Sequence, residues 1–213
     1  MADSILTPTR ERLLSTALRL FWEKGYNSTS VADILREAEA NSGSLYHFFP
    51  TKQDVLVGVL EEYRNGIEPM LLEPVWDGVE DPIERVFALL HGYRRLLLES
   101  DFRLGCPIGN IALEIAEPDP VVRERLVENF EGWVAAVKGC FDEAESRLPL
   151  GVNTTDLARF CLVNMEGGVM LARSYRDIEP FDAMVATLRD YFRLLGVAGV
   201  DLQSHPQPQG GQS

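Results

Sequence analysis

The sequence predicts an all-α fold in two parts: a small N-terminal helix-turn-helix unit over residues 9–64 and a larger helical body over residues 65–198. Three observations carry this. Apolar residues recur at helical spacing almost throughout, no alternating run is long enough for a strand, and helix-start residues punctuate the chain. The first helix is expected to begin at Thr7-Pro8 or Thr9, with Leu13, Leu14, Ala17, Leu20 and Phe21 on one face. Gly25 is placed to end it in a left-handed conformation, with Tyr26 folding back onto the apolar face. Ser30 followed by Asp33 has the spacing of a capping box and opens a second helix. Asn41 is a good N-cap for a third, and Thr51 with Asp54 repeats the cap pattern after the break at Pro50.

The body is punctuated in the same way. Asp81-Pro82 opens a helix to about Leu98, and Gly105-Cys106-Pro107 opens one that stops before Pro118. Asp119-Pro120 opens a long helix carrying Leu126, Phe130, Trp133 and Phe141. Asn153-Thr154-Thr155 caps the next, towards Tyr175, and Pro180 precedes the last, through about Leu195. Residues 199–213 are low in complexity and are expected to be a disordered tail.

Composition narrows the function classes. The longest apolar runs fall short of the ~18 residues a membrane span needs, and the N-terminus lacks the basic-then-apolar pattern of a signal peptide. The 3 cysteines are an odd number without a CxxC, which points to a reducing cytoplasm rather than to disulfides or zinc. With 3 histidines and no HExxH, neither a metal nor a cofactor is expected, and no nucleophile–base pattern marks an enzyme. The formal charge of −13 runs against DNA binding, but residues 1–64 carry seven Lys/Arg against nine Asp/Glu, so most of the acidity lies in the body.

Within residues 30–50 two short helices flank a tight turn, and the second begins with small polar residues. A helix that brings its first turn to base edges needs small residues there, which Ser42, Gly43 and Ser44 supply. Tyr46 and His47 lie one turn on, at a phosphate-contacting level. Thr29 and Ser30 at the positive end of the second helix, and Lys52 at the start of the fourth, are further phosphate candidates. Leu45, Phe48 and Phe49 are assigned to the small core.

Arg10/Arg12, Ala17, Phe21, Gly25-Tyr26, Thr29, Ile34, Ala38, Gly43-Ser44-Leu45-Tyr46-His47-Phe48-Phe49 and Lys52 together resemble the N-terminal signature of the TetR family of bacterial transcriptional regulators. The resemblance implies an all-α homodimer whose N-terminal helices bind a double-stranded DNA operator and whose body binds a small-molecule effector. Two positions depart from the family pattern. Glu39 stands at the turn where glycine is usual, at a cost of roughly 1 kcal/mol if left-handed, and Ser42 stands where a basic residue is common.

In the body, Gly105–Glu114 and Met165–Arg173 resemble segments of one branch of that family. The resemblance implies that the last two helices pair with their copies, making Met165, Gly167, Gly168 and Leu171 interface candidates. The two glycines fit a close crossing, either with a second copy or with a helix of the same chain. Cys106 at a helix start is a candidate sensor of oxidants or electrophiles, since the helix end lowers a thiol pKa; the other reading is a small buried residue. Tyr93, Phe102, Phe130, Trp133 and Phe87, with Asn110, are candidates to line an apolar effector pocket, or plain core. Glu114/Glu117 and Glu124/Glu128 read as a solvated face. The function expected is a DNA-binding repressor released from a palindromic operator by a small-molecule effector or a thiol-reactive signal, with a helical ligand-binding or interaction module lacking specific DNA binding as the alternative.

Overall fold

The computed structural model describes residues 2–115, 117 and 119–196, with the side chains of residues 2–7 left out of the description; the expected tail at 199–213 lies outside them. Ten α-helices order the described chain: α1 (Ala2–Lys24), α2 (Val31–Glu37), α3 (Ser42–Phe48), α4 (Lys52–Ile67), α5 (Glu73–Trp76), α6 (Pro82–Glu99), α7 (Pro107–Glu114), α8 (Pro120–Glu143), α9 (Thr154–Tyr175) and α10 (Glu179–Leu194). Among the described residues no helix is long and apolar enough to cross a membrane.

The local start signals act as read. Ser30 and Thr51 each form a full capping box, with Asp33 and Asp54, and Asn41 accepts from the Ser44 N–H at 2.8 Å. Asp81, Asp119 and Asn153 cap α6, α8 and α9 through their side chains. Gly25 takes φ +91°, and the Tyr26 ring returns edge-on to Phe21 at 5.2 Å. Glu39 is left-handed at φ +49°, so this turn carries the strain that a side chain brings there.

Two expectations are corrected. The first helix begins at Ala2 and runs across Pro8, because a start signal marks where a helix can begin without obliging it to. The boundary at 64/65 falls inside α4, which continues into a π-helical turn (Glu68–Leu72) and α5. Pro69 and Pro74 sit in the first turns of those two segments, where a proline's missing N–H costs little.

The N-terminal core joins Leu13, Leu14, Ala17, Leu20 and Phe21 of α1 to Ile34, Leu45, Phe49, Leu56 and Val59, all buried. Phe48 is partly buried against it. In the body Phe192 meets Phe87 and Phe141 at ring distances of 5.8 and 5.5 Å. Paired carboxylate–guanidinium forks tie α6 to α10: Arg94 to Asp182 at 2.7 and 2.9 Å, and Arg189 to Glu84 at 2.8 Å twice. One apolar cluster is continuous from the N-terminal helices into the body, with α4 packed between α1 and α8. A shift in the body therefore has a rigid path to the N-terminal unit.

Candidate nucleic-acid interface and effector cleft

The outward face of α3 is short, small and uncharged. Ser42, Gly43, Tyr46 and His47 are exposed and Ser44 is half-exposed, while Leu45 points into the core. Tyr46 is 52% exposed although it is a large aromatic, which leaves its hydroxyl and ring for an external partner. A helix with its first turn open in this way can lie in a major groove.

Three of the phosphate candidates are not available as expected. Thr29 is fully buried, its hydroxyl donates to the carbonyls of Gly25 (2.8 Å) and Leu20 (3.3 Å), and its N–H donates to Tyr26. Ser30 is exposed, but its hydroxyl and N–H are both taken by Asp33, at 2.6 and 3.0 Å. The Lys52 ammonium folds back over the Tyr26 ring, 4.2 Å from its centre, and donates to the Tyr26 carbonyl at 2.6 Å. Partial burial lowers its pKa. These residues build the turn between α1 and α2; they do not stand in front of it. Likewise Arg12 donates to the Ala38 carbonyl at 2.8 Å and closes the C-terminus of α2.

The same turn is gripped from the body. Glu114, the last residue of α7, accepts from the N–H groups of Tyr26 at 2.7 Å and Asn27 at 2.6 Å. A methyl group at Gly25 would lie 2.9 Å from both of its carboxylate oxygens, so glycine is required there for approach as well as for φ. Glu114 is thus a clamp and not part of a solvated face. Sequence reading missed it because its partners lie 87 and 88 residues away and no local pattern marks such a contact. Trp22 adds a second tie, donating to the Gly105 carbonyl just before α7 at 2.7 Å.

Two concavities flank the start of α7. The smaller, about 270 Å³, lies among α1, α4, the π turn and α6, and is lined by Leu18, Trp22, Tyr63, Ile67, Met70 and Tyr93 among others. The larger, about 690 Å³, opens between α7 and α9 and takes Phe102, Asn110, Phe130, Glu166, Met170 and Arg173 into its walls. The effector candidates therefore divide: Tyr93 goes to the first, and Phe102, Asn110 and Phe130 to the second. Trp133, 4% exposed, belongs to the core, with an indole N–H that has no acceptor among the described residues.

Cys106 is at the N-cap of α7, where its sulfur accepts from the Gly109 N–H at 3.4 Å, but it is not activated. Burial pushes its thiol pKa well above the ordinary value, and the nearby Glu166 carboxylate pushes the same way. The helix end favours a thiolate by too little to offset desolvation of the charge. The expected outcome is that iodoacetamide at pH 8 modifies native Cys106 at least ~100-fold more slowly than the urea-unfolded chain, as peptide mapping would show. Labelling at the free-thiol rate would restore the sensor reading. Cys140 and Cys161 are buried core residues, the latter pushed up to about 12 by desolvation.

Known proteins share this fold. Residues 13–59 match the family described as bacterial regulatory proteins, tetR family, and residues 82–187 match the LmrA/YxaF-like transcriptional regulator C-terminal domain. An uncharacterized HTH-type transcriptional regulator of Mycobacterium tuberculosis is 30% identical over 190 residues, covering 85% of this chain and 92% of that protein. The chain belongs to the TetR family. The HTH-type transcriptional repressor DhaR of Mycobacterium sp. strain GP1 is 28% identical over 184 residues, covering 85% and 91% of the two chains. The crystal structure of regulatory protein TetR from Rhodobacter sphaeroides superposes with a TM-score of 0.74 at 26% identity, covering 84% of this chain and 95% of that one. As a TetR-family member this protein is a DNA-binding transcriptional regulator, and membership implies operator binding and homodimerisation.

Homodimerisation, which family membership implies, calls for an apolar face, and exposed apolar residues gather on α9 and α10. Phe160, Val163, Met170 and Leu171 of α9 and Tyr191 and Leu194 of α10 are exposed, Val163 at 69% and Leu194 at 87%. Two interface candidates are corrected. Met165 is fully buried, and Gly168 serves its own chain, since a methyl group there would lie 3.0 Å from both Met184 and Phe181 of α10. Gly167 opens onto free space and Leu171 is exposed, so both remain on the outward face. Helical periodicity places neighbouring glycines on different faces, about 100° apart, which the sequence could not orient without the fold.

Proposed function

We propose that this TetR-family protein is a homodimeric repressor that holds two copies of α3 in successive major grooves of a palindromic operator and leaves it when a small effector occupies the body. Ser42, Gly43 and Ser44 face the bases, and Tyr46 and His47 reach the phosphates. The observation that carries the reading is α7. Gly109, Asn110, Ala112 and Leu113 line the larger cleft, and the next residue, Glu114, grips the turn that positions α2 and the start of α4. A ligand that shifts α7 thereby changes the angle of each reading head, and in a dimer the two shifts alter the head-to-head spacing. A spacing that departs from the ~34–36 Å of one DNA turn, or its multiple, loses the second half-site. Release follows as a population shift between the two spacings.

The test uses the outward face of α9. Purified protein should sediment as a dimer and retard a palindromic fragment from beside its own gene. Val163→Arg, which places a charge at the centre of the apolar face, should sediment as a monomer and bind that fragment at least ~100-fold more weakly, because the second half-site is lost. A Val163→Arg protein that stays dimeric would refute the interface. Failure to recover any operator by unbiased selection would refute the repressor reading.

A further inference from the structure

The larger cleft has a basic anchor that no carboxylate among the described residues neutralises. Arg173, half-buried on α9, has no carboxylate at ion-pair distance among the described residues. Its two terminal nitrogens donate to neutral acceptors, the Asn110 side-chain oxygen at 2.6 Å and the Arg103 carbonyl at 3.1 Å. Its Nε–H is buried without an acceptor among the described residues. A guanidinium carries five N–H groups, so these contacts fix its plane while leaving donors for a further partner. The other charges around the cleft do not quench it. Arg176 is paired with Asp101 at 2.5 Å, and Glu23 is paired with Arg19 at 3.1 Å. Glu166 is turned against Gly109, so closely that a methyl group there would meet its Oε2, it forms no ion pair with Arg173, and burial raises its carboxyl pKa.

The walls beside this anchor are apolar. Phe102 and Phe130 are partly buried, and Leu113 and Val169 complete the same surface. Phe102 is brought there at a cost, because Asp101 and Phe102 take φ +51° and +57°, two consecutive left-handed conformations without a glycine. The volume, about 690 Å³, is that of a site for a small organic molecule.

We propose that this cleft binds a small organic carboxylate, its anionic head taken by Arg173 and its aromatic or aliphatic body lying between Phe102 and Phe130. A planar fork of N–H donors matches a carboxylate, and desolvation in a half-buried site makes the charge-assisted contact count. The proposal rests on the effector-responsive reading and supplies the chemical class of the effector. Because Asn110 on α7 holds Arg173, a carboxylate drawing on the same guanidinium also pulls on the helix that ends in Glu114.

The experiment measures binding to the full-length dimer without DNA, by calorimetry, with octanoate, cinnamate and 1-naphthoate, each beside its neutral primary amide. At least one acid should bind ten times more tightly than its amide. In Arg173→Gln that preference should disappear. Should Arg173→Gln fail to fold, the acid-to-amide ratio in the unaltered protein still decides. If no acid is preferred over its amide, including the case where nothing in the panel binds, or if the preference survives in a folded Arg173→Gln, the proposal is overturned. Operator release is measured separately with the preferred acid. Binding without release supports the carboxylate site and counts against the effector reading alone.

Discussion

Ser42→Glu is expected to abolish operator binding while leaving the fold as stable as before or slightly more so. Ser42 is the first residue of α3, exposed, and immediately follows the Asn41 cap. At that position a carboxylate meets the positive end of the helix, a contact worth about 0.3–1 kcal/mol of stability. The same carboxylate would face the phosphates and base edges of a bound duplex, with no cation of α3 itself to compensate. A loss of at least ~100-fold in affinity, about 2.7 kcal/mol, is the expected size. Fluorescence anisotropy on the operator and a thermal melt on the free protein read the two effects independently. The neutral Ser42→Gln, which alters size without charge, should fall between. Operator binding by Ser42→Glu at the original affinity would show that the start of α3 is not against DNA. Loss of binding together with loss of stability would mean only that the head had unfolded.

Glu114→Ala should disconnect the body from the reading head. The substitution removes two charge-assisted bonds to the backbone N–H groups of Tyr26 and Asn27. Each such bond contributes about 1.5–3 kcal/mol when buried and less at a partly exposed turn, so an overall loss of about 1–3 kcal/mol in urea denaturation is expected. Lys52 would lose the carboxylate across the turn that favours its charged form, though not its bond to the Tyr26 carbonyl. Hydrogen exchange at the Tyr26 and Asn27 amides should accelerate at least tenfold, a readout that requires neither ligand nor DNA. With the acid preferred by the cleft in hand, operator affinity of the variant should change by less than twofold on adding it. A variant that keeps the full response, despite unprotected amides, would place the transmission elsewhere, for instance along α4.

How far the site was legible can be followed residue by residue. Ser30, Asn41, Thr51, Asp81, Asp119 and Asn153 announced helix starts correctly because capping is a contact over two or three positions, complete within a few residues of sequence. The apolar stripe of α1 and the small outward start of α3 were visible for the same reason, as periodicity is local. Thr29 and Lys52 were misassigned for the opposite reason. Their polar groups are consumed by carbonyls of the preceding turn and of a helix end, and composition does not reveal whether a hydroxyl or an ammonium is already engaged. Cys106 shows the competition of two effects. The helix end that lowers a thiol pKa could be read from Gly105-Cys106-Pro107, whereas the burial that raises it further comes from elements distant in sequence.

The sequence by itself determined the helical class, the caps that divide the chain, the small uncharged face of α3 and the family signature those residues make together. Each depends on spacings of a few residues, where backbone geometry alone decides what meets what. The tertiary structure decided which polar groups remain free, which glycine faces outward, and that α7 joins the cleft to the DNA-reading turn through Glu114. It also decided that Arg173 stands without a carboxylate among the described residues. Those facts concern partners tens of residues apart, and only packing determines whether a charged or hydrogen-bonding group is satisfied, buried or left for a ligand.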